Sequence, residues 1–255
     1  MENREYRKML KRMGYLDDQQ GIISRYIEEE GEWNNHLARC KEFILASANK
    51  RGKENVFILG SGWLLDVPLD ELSGMFKTVY LVDVEHPVQV KKKISDYQNV
   101  QLLNMDITGG YIEKVYHAVR NKNYLAIKDI HVNGFQFPGQ PSFVVSINIM
   151  NQLDIILVDY IKKFKFFDEN DLLDFRKRIQ MAHLNSLPVG KSCLITDFEE
   201  IHLSKNKDEE IGKKKLIFTE LPDAPKQEWI WNFDTRCSYY SRDFKTFFKV
   251  VALEF

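Results

Sequence analysis

The stretch Asn55 to Val67, NVFILGSGWLLDV, decides how this chain is read. Val56 to Leu59 form a short apolar run, the mark of a strand buried on both faces. Gly60-Ser61-Gly62 breaks it before Trp63-Leu64-Leu65 resumes an apolar pattern. The expected local structure is strand, glycine turn, helix. Such a turn is expected to bring uncovered backbone N–H groups and a helix N-terminus to one point, where a nucleotide-like ligand approaches with no side chain in the way. A Gly-x-Gly is also a common strand-to-helix turn that binds nothing, so its flanks decide its meaning.

Downstream, Thr78 to Val84 (TVYLVDV) is β-branched and aromatic, a second buried-strand signature with Asp83 near its end. Asp83 follows the glycines at about the twenty-residue separation that sets a carboxylate beside the turn, where it accepts from both hydroxyls of a ribose. The alternative is an N-cap for a helix over His86 to Ser95. Val100 to Met105 (VQLLNM) reads as a third strand. Asp106 after it either accepts from an adenine amino group while Ile107 covers the ring face, or closes an Asx-turn into Gly109-Gly110.

Ser142 to Met150 (SFVVSINIM) reads as a fourth strand, with Ser146, Asn148 and Asn151 towards its C-terminal end, where open α/β sheets hold ligands. Asp168 to Leu187 is an amphipathic helix. Ser192 to Thr196 is a fifth strand ending at Asp197, followed by a Lys-rich loop at 204–215. Glu228 to Phe233 and Phe247 to Phe255 are two further strands able to return antiparallel. The alternation predicts a doubly wound, mostly parallel seven-stranded α/β sheet with an antiparallel C-terminal strand pair and an N-terminal helical extension.

Residues 1–50 read as that extension and 51–255 as the main domain. In the extension Trp33, Leu37, Cys40, Phe43 and Ile44 make one apolar helical stripe. The stripe either packs on the sheet or lids the glycine turn with Trp33 and His36 near a ligand. An insertion covers about 111–141: Tyr111 to Lys122 reads as a helix. The following segment, with Leu125, Ile127, Ile130 and Val132 before a Gly/Pro-rich turn, reads as a hairpin or flap.

Composition narrows the partners. The 255 residues are 44% hydrophobic and 29% charged, enough for a sizeable core. Aromatic residues make up 13%, which supplies both core area and stacking walls for flat ligands. A net charge of −1 gives no global field for nucleic acid or an anionic membrane. The basic runs Lys91 to Lys93 and Lys213 to Lys215 read as solvated faces. Cys40, Cys193 and Cys237 make neither a zinc pattern nor a disulfide framework, so no metal is expected and a reducing cytoplasm is the expected home. No secretory signal and no membrane-length apolar run is read from the sequence. A small-molecule substrate is the expected partner, and exposed aromatic C-terminal strands would suit an oligomer.

In order and spacing these segments resemble the class I S-adenosylmethionine-dependent methyltransferases over about residues 34–255. VFILGSG resembles that family's glycine-rich first motif, LVDVEHP the acidic end of its second strand, NVQLLNMD its third-strand motif and FVVSINIMNQL its fourth. The final pair resembles its antiparallel sixth and seventh strands. The resemblance implies methyl transfer from S-adenosyl-L-methionine. It sets Gly60 and Gly62, with Ser61 between them, against the methionine part, Asp83 on the ribose, Val84 against the adenine beside Ile107, Asp106 on its amino group, and the backbone near Ser146 to Asn148 beside the sulfonium. His36 and His131, and more weakly His202, are the candidates for a base.

The chain also departs from the family. Ile58 stands where an acid usually anchors the cofactor's ammonium, and Leu64 where a third glycine often stands; no Asn-Pro-Pro-Tyr run follows the fourth strand. These departures keep open a Rossmann-like binding module without methyl transfer. An NAD(P)-dependent oxidoreductase shares the Gly-x-Gly turn and the downstream acid, but Leu65 occupies its third glycine position.

Overall fold

The computed structural model describes residues 3–131 and 134–255. Helices α1 (Asn3–Met13), α2 (Tyr15–Glu28) and α3 (Asn34–Ala48) precede β1 (Asn55–Leu59). Then follow α4 (Leu69–Met75), β2 (Thr78–Asp83), α5 (Val88–Lys93) and β3 (Val100–Asn104). The middle of the chain holds α6 (Tyr111–Arg120), α7 (Leu125–Lys128), β4 (Phe143–Ile147), α8 (Gln152–Lys162) and α9 (Glu169–Ser186). Strands β5 (Ser192–Ser204), β6 (Glu210–Lys215), β7 (Lys226–Asp234) and β8 (Phe244–Glu254) close it. The sheet order is β3-β2-β1-β4-β5-β8-β7. Strands β1 to β5 pair in parallel, while β8 lies antiparallel between β5 and β7. This is the doubly wound sheet with an antiparallel terminal pair that the strand pattern predicts, with eight strands rather than seven because β6 joins beside β5.

Alternation along the strands sorts the core into two layers. Val56 and Ile58 face α3 and α4 together with Val79, Leu81 and Val145. Phe57 and Leu59 face the opposite layer with Val82 and Val144, where α1, α6, α8 and α9 pack. Because side chains on a strand alternate with period two, a run buried at every position needs helices on both faces.

Three local expectations are corrected. The 204–215 segment is not all loop: β6 pairs antiparallel with β5, Glu199 opposite Lys215 and Glu200 opposite Lys214. Opposite charges across a strand pair stabilise it, so a lysine run that reads as exposed loop is an exposed edge strand. Strand β5 does not end at Asp197. Its register with β8 shifts between Asp197 and Glu199, and the strand runs on through this bulge to Ser204. The predicted hairpin after Tyr124 is instead the single turn α7 followed by irregular chain, with Ile127 and Ile130 buried. Val132, part of that expectation, lies outside the described residues.

The leading helices are tied to the far end of the chain. Glu29, fully buried after α2, accepts from Thr235 N (2.9 Å), Thr235 Oγ1 (2.7 Å) and Arg236 N (3.1 Å). Trp33 is buried against Trp231 and Phe233 and donates its indole N–H to the Phe233 carbonyl at 3.0 Å. Glu29→Ala strands these donors and is expected to cost about 2–3 kcal/mol, read as a lowered urea midpoint at unchanged slope. No helix among the described residues is long and apolar enough to cross a membrane.

Candidate functional site

The C-terminal ends of β1, β2, β3 and β4 open onto one cleft of about 1060 Å³. Its walls contain Gly60, Ser61, Gly62, Asp83, Val84, Asp106, Ile107 and Asn148, with His36 from α3. Eight of the expected cofactor residues and one candidate base therefore meet at the end of the sheet where an α/β fold holds ligands.

The glycine turn differs from the expected cradle. Gly60 N and Ser61 N both donate to the Val82 carbonyl (3.0 and 3.3 Å), and Gly62 N donates to Asp83 Oδ2 at 2.9 Å. Helix α4 begins only at Leu69, beyond a run of turns. The turn therefore offers a ligand the open Cα face of Gly62 rather than free N–H groups of its own or a helix N-terminus. Leu64, at the family's third-glycine position, sits in the left-handed region at φ 60°. Its buried side chain joins the α3–α4 layer, so packing holds a conformation that glycine adopts more readily.

Asp83 Oδ1 also accepts from Val84 N at 2.8 Å. Asp83 is a clamp on the turn rather than a helix cap, since α5 starts at Val88. Each carboxylate oxygen has two acceptor positions, so both can still take a hydroxyl. Burial raises the Asp83 pKa above the ordinary range, countered by His86 and by the backbone N–H donors. His86, which the sequence reading passed over, supports the turn from behind. Ser61 Oγ lies 3.3 Å from its Nε2, and its Nδ1 lies 3.2 Å from Asn104 Oδ1. An amide oxygen only accepts, so Nδ1 carries the hydrogen and the Ser61 hydroxyl donates to Nε2. Burial lowers the His86 pKa and keeps the ring neutral.

Asp106 closes the anticipated Asx-turn with one carboxylate oxygen. Oδ1 accepts from Thr108 N at 2.8 Å and from Thr108 Oγ1, closing the Asx-turn. Oδ2 is buried with no partner, in the same cleft. Burial raises its pKa. A buried acceptor without a donor costs stability, and a ligand amino group would satisfy it.

At the inner end of the cleft, His36 stacks on Trp231 with ring centroids 4.0 Å apart, and Trp229 Nε1–H donates to its Nδ1 at 3.1 Å. Indole is only a donor, so the His36 hydrogen is on Nε2, where Cys40 Sγ at 3.6 Å is its acceptor; Asn148 Nδ2, 3.1 Å away, is itself a donor and makes no hydrogen bond to it. Burial pushes the His36 pKa down to about 3. With its lone pair committed to Trp229, His36 is no general base. His36, Cys40 and Asp66 bring three potential metal ligands within 4.8 Å of one another. A metal on Nε2 would move the hydrogen to Nδ1 and face it with the Trp229 N–H, so this trio does not suit one.

Asp66 is the site residue that sequence reasoning missed. Asn148 Nδ2 donates to its Oδ2 at 2.8 Å, and burial raises its pKa. Its signal in the sequence is an acid shortly after the second glycine, four residues beyond Gly62. Ile58, in that earlier place, is fully buried in the α3–α4 layer and has no access to the cleft.

The other anticipated residues lie elsewhere. Ser146 is fully buried and its Oγ lies 2.8 Å from His183 Nε2 on α9, because alternation turns it away from the cleft. His131 is exposed, its carbonyl accepting from Lys114. His202 pairs with Glu200 and stacks on Phe244. The cleft is covered by α2, while Trp33, His36 and Leu37 from the start of the α3 stripe line it as well as packing in the core. Tyr15, Asp18, Gln19 and Ile22 face the cleft. Gln19 Nε2 donates to the Glu85 carbonyl (2.8 Å), and Trp63 Nε1 to the Gln19 carbonyl (2.7 Å).

No protein-family model and no curated protein matches the sequence. Among solved structures, the chain is similar to the 23S rRNA methyltransferase ErmE at 16% identity, over 64% of this chain and 46% of that one, with a TM-score of 0.31. It is also similar to the N-methyltransferase NodS from Bradyrhizobium japonicum WM9 in complex with S-adenosyl-L-homocysteine: 9% identity, 91% and 97% of the two chains, TM-score 0.38. The DhpI-SAM-HEP complex matches at 10% identity over 93% and 95%, with a TM-score of 0.38.

Proposed function

We propose that the chain transfers a methyl group from S-adenosyl-L-methionine to a small-molecule acceptor. The observation that carries the reading is the unpartnered, buried Asp106 Oδ2 in the same cleft as Asp83 and the open face of Gly62. A Cβ on Gly62 would meet no atom closer than 3.8 Å, so a ligand has room there. Ring amino group, ribose and methionine chain each find a matching surface. When bound, the cofactor supplies a methyl carbon activated by the sulfonium.

The protein's part is to hold and to dry the reacting pair, since an in-line displacement gains most from positioning and from exclusion of water. Asp83 holds the ribose hydroxyls and Asp106 the amino group, with Val84 and Ile107 along the ring. Asp66 takes the ammonium of the methionine part, the role left open by Ile58. The α2 roof excludes water. We further assign residues 1–50 to closing the cleft and the 111–141 segment to flanking it.

Isothermal titration calorimetry with S-adenosylhomocysteine tests the site without an acceptor. Micromolar binding is expected. No binding to a folded protein would leave a fold retained without this cofactor, and quenching by NADH in its place would favour the oxidoreductase. Asp66→Ala is expected to weaken S-adenosylhomocysteine about tenfold, a charge-assisted hydrogen bond's worth. Unchanged affinity would place the ammonium elsewhere.

A further inference from the structure

A second cleft of about 980 Å³ adjoins the first across shared walls, Ile22 and Gln152 among them, and Trp231 at the inner end. We propose that this chamber binds the methyl acceptor, that the acceptor is an organic ammonium ion with a flat apolar body, and that Asp197 takes its proton. The inference rests on the methyl-transfer reading for its reaction, but its binding chemistry stands on the chamber alone.

The floor is formed by Asp197 and Asn151, 2% and 4% exposed. Asn151 Nδ2 donates to Asp197 Oδ2 at 3.2 Å, which commits the amide nitrogen and leaves its oxygen free. Asp197 Oδ1 and Asn151 Oδ1 are both buried without a partner. The two orphan atoms are acceptors, so the ligand must bring the hydrogens. The bulge after Asp197 is the fold's device for setting this carboxylate at the chamber floor while β5 runs on.

Charge points the same way. Asp18 and Asp159 stand exposed on the chamber wall, and neither is ion-paired among the described residues. The cations of the wall have partners of their own: Arg176 lies 3.0 Å from Asp154 and Lys214 3.8 Å from Glu200. Arg25, on the aromatic side of the chamber, offsets Asp18 in part, so the balance of Asp18, Asp159 and Arg25 is negative. The other walls are Trp231, Phe233, Phe248 and Tyr240, and the same aromatic cluster already carries a cation, with the Arg25 guanidinium 3.6 Å from the Tyr239 ring centroid. Aromatic faces and a carboxylate together recognise an organic ammonium.

Asp197 suits the proton transfer as well. Burial, with Asp66 and Glu200 adding to it, raises its pKa to about 7 against the Asn151 hydrogen bond, so the group can hold a proton near neutrality. The ammonium R–NH₃⁺ gives a proton to the Asp197 carboxylate. The freed nitrogen lone pair forms the N–CH₃ bond as the S–CH₃ bond breaks with its electron pair retained by sulfur. R–NH₂⁺–CH₃ and S-adenosylhomocysteine leave, and Asp197 returns its proton to solvent. No histidine is needed.

The test is calorimetry of the full chain with benzylamine, 2-phenylethylamine and tryptamine, each against the alcohol of the same skeleton, with and without saturating S-adenosylhomocysteine. At least one amine is expected to bind tenfold or more tighter than its alcohol. Asp197→Asn is expected to abolish that preference while S-adenosylhomocysteine affinity stays as in the wild type, which also certifies the fold. If S-adenosylhomocysteine binds but no amine exceeds its alcohol, or the preference survives in Asp197→Asn, the inference is overturned and methyl transfer stands. If the amine preference and its Asp197 dependence hold without S-adenosylhomocysteine binding, the ammonium site stands and methyl transfer falls. The wild-type comparison needs no variant.

Discussion

Asp83→Ala is expected to weaken S-adenosylhomocysteine by about 1.5–3 kcal/mol, or roughly 10- to 150-fold, the range for hydrogen bonds to a charged group. It is also expected to lower the stability of the free protein by about 2–3 kcal/mol. The second effect follows from the two backbone bonds, Gly62 N–H to Oδ2 and Val84 N–H to Oδ1, whose donors lose their acceptor. Asp83→Asn separates the two roles. The amide keeps one acceptor oxygen for a backbone N–H, so more stability survives, while the charge that strengthens a ribose contact is gone. Calorimetry reads the affinity and urea denaturation the stability. A folded Asp83→Ala protein with wild-type affinity would show that no ribose rests on this carboxylate.

Much of this cleft was legible because two signals reinforce each other in open α/β sheets. Buried strands announce themselves as short apolar runs, and the residues just past their ends are where ligands go. Gly60, Gly62, Asp83 and Asp106 follow from that rule. The Ser146 side chain does not, since alternation sends its hydroxyl to His183 and leaves only the backbone of that strand end to the cleft. The candidate base His36 is lost for a different reason. A histidine's usefulness depends on what occupies its nitrogens, and the indole that silences His36 arrives from Trp229, far along the chain. Asp66 and Asp197 were hidden because each depends on how the chain travels after a strand end. One lies in a run of turns where a helix was expected, the other just before a bulge where a strand was expected to stop.

The two glycines of the turn are alike in sequence and are expected to answer differently to alanine. At Gly60 (φ 81°) an added Cβ would lie 2.6 Å from Ile149 Cβ and 2.9 Å from the Ile147 carbonyl oxygen. Neither neighbour is the free end of a flexible chain, so β1 and the segment after β4 must part. Left-handed strain of roughly 1–2 kcal/mol adds to overpacking of roughly 1–3 kcal/mol, for a loss of about 2–5 kcal/mol. At Gly62 (φ 44°) the nearest atom to such a Cβ is 3.8 Å away, so alanine meets only the backbone preference, about 1 kcal/mol. Its methyl occupies the face on which the ligand rests. Gly60→Ala is therefore expected to shift the urea midpoint strongly, and Gly62→Ala to leave it nearly in place while weakening S-adenosylhomocysteine at least tenfold. The reverse pattern, with Gly62→Ala binding normally, would mean that the ligand does not cross the turn. The cleft would then have to be used through its Asp66 and Asn148 end alone.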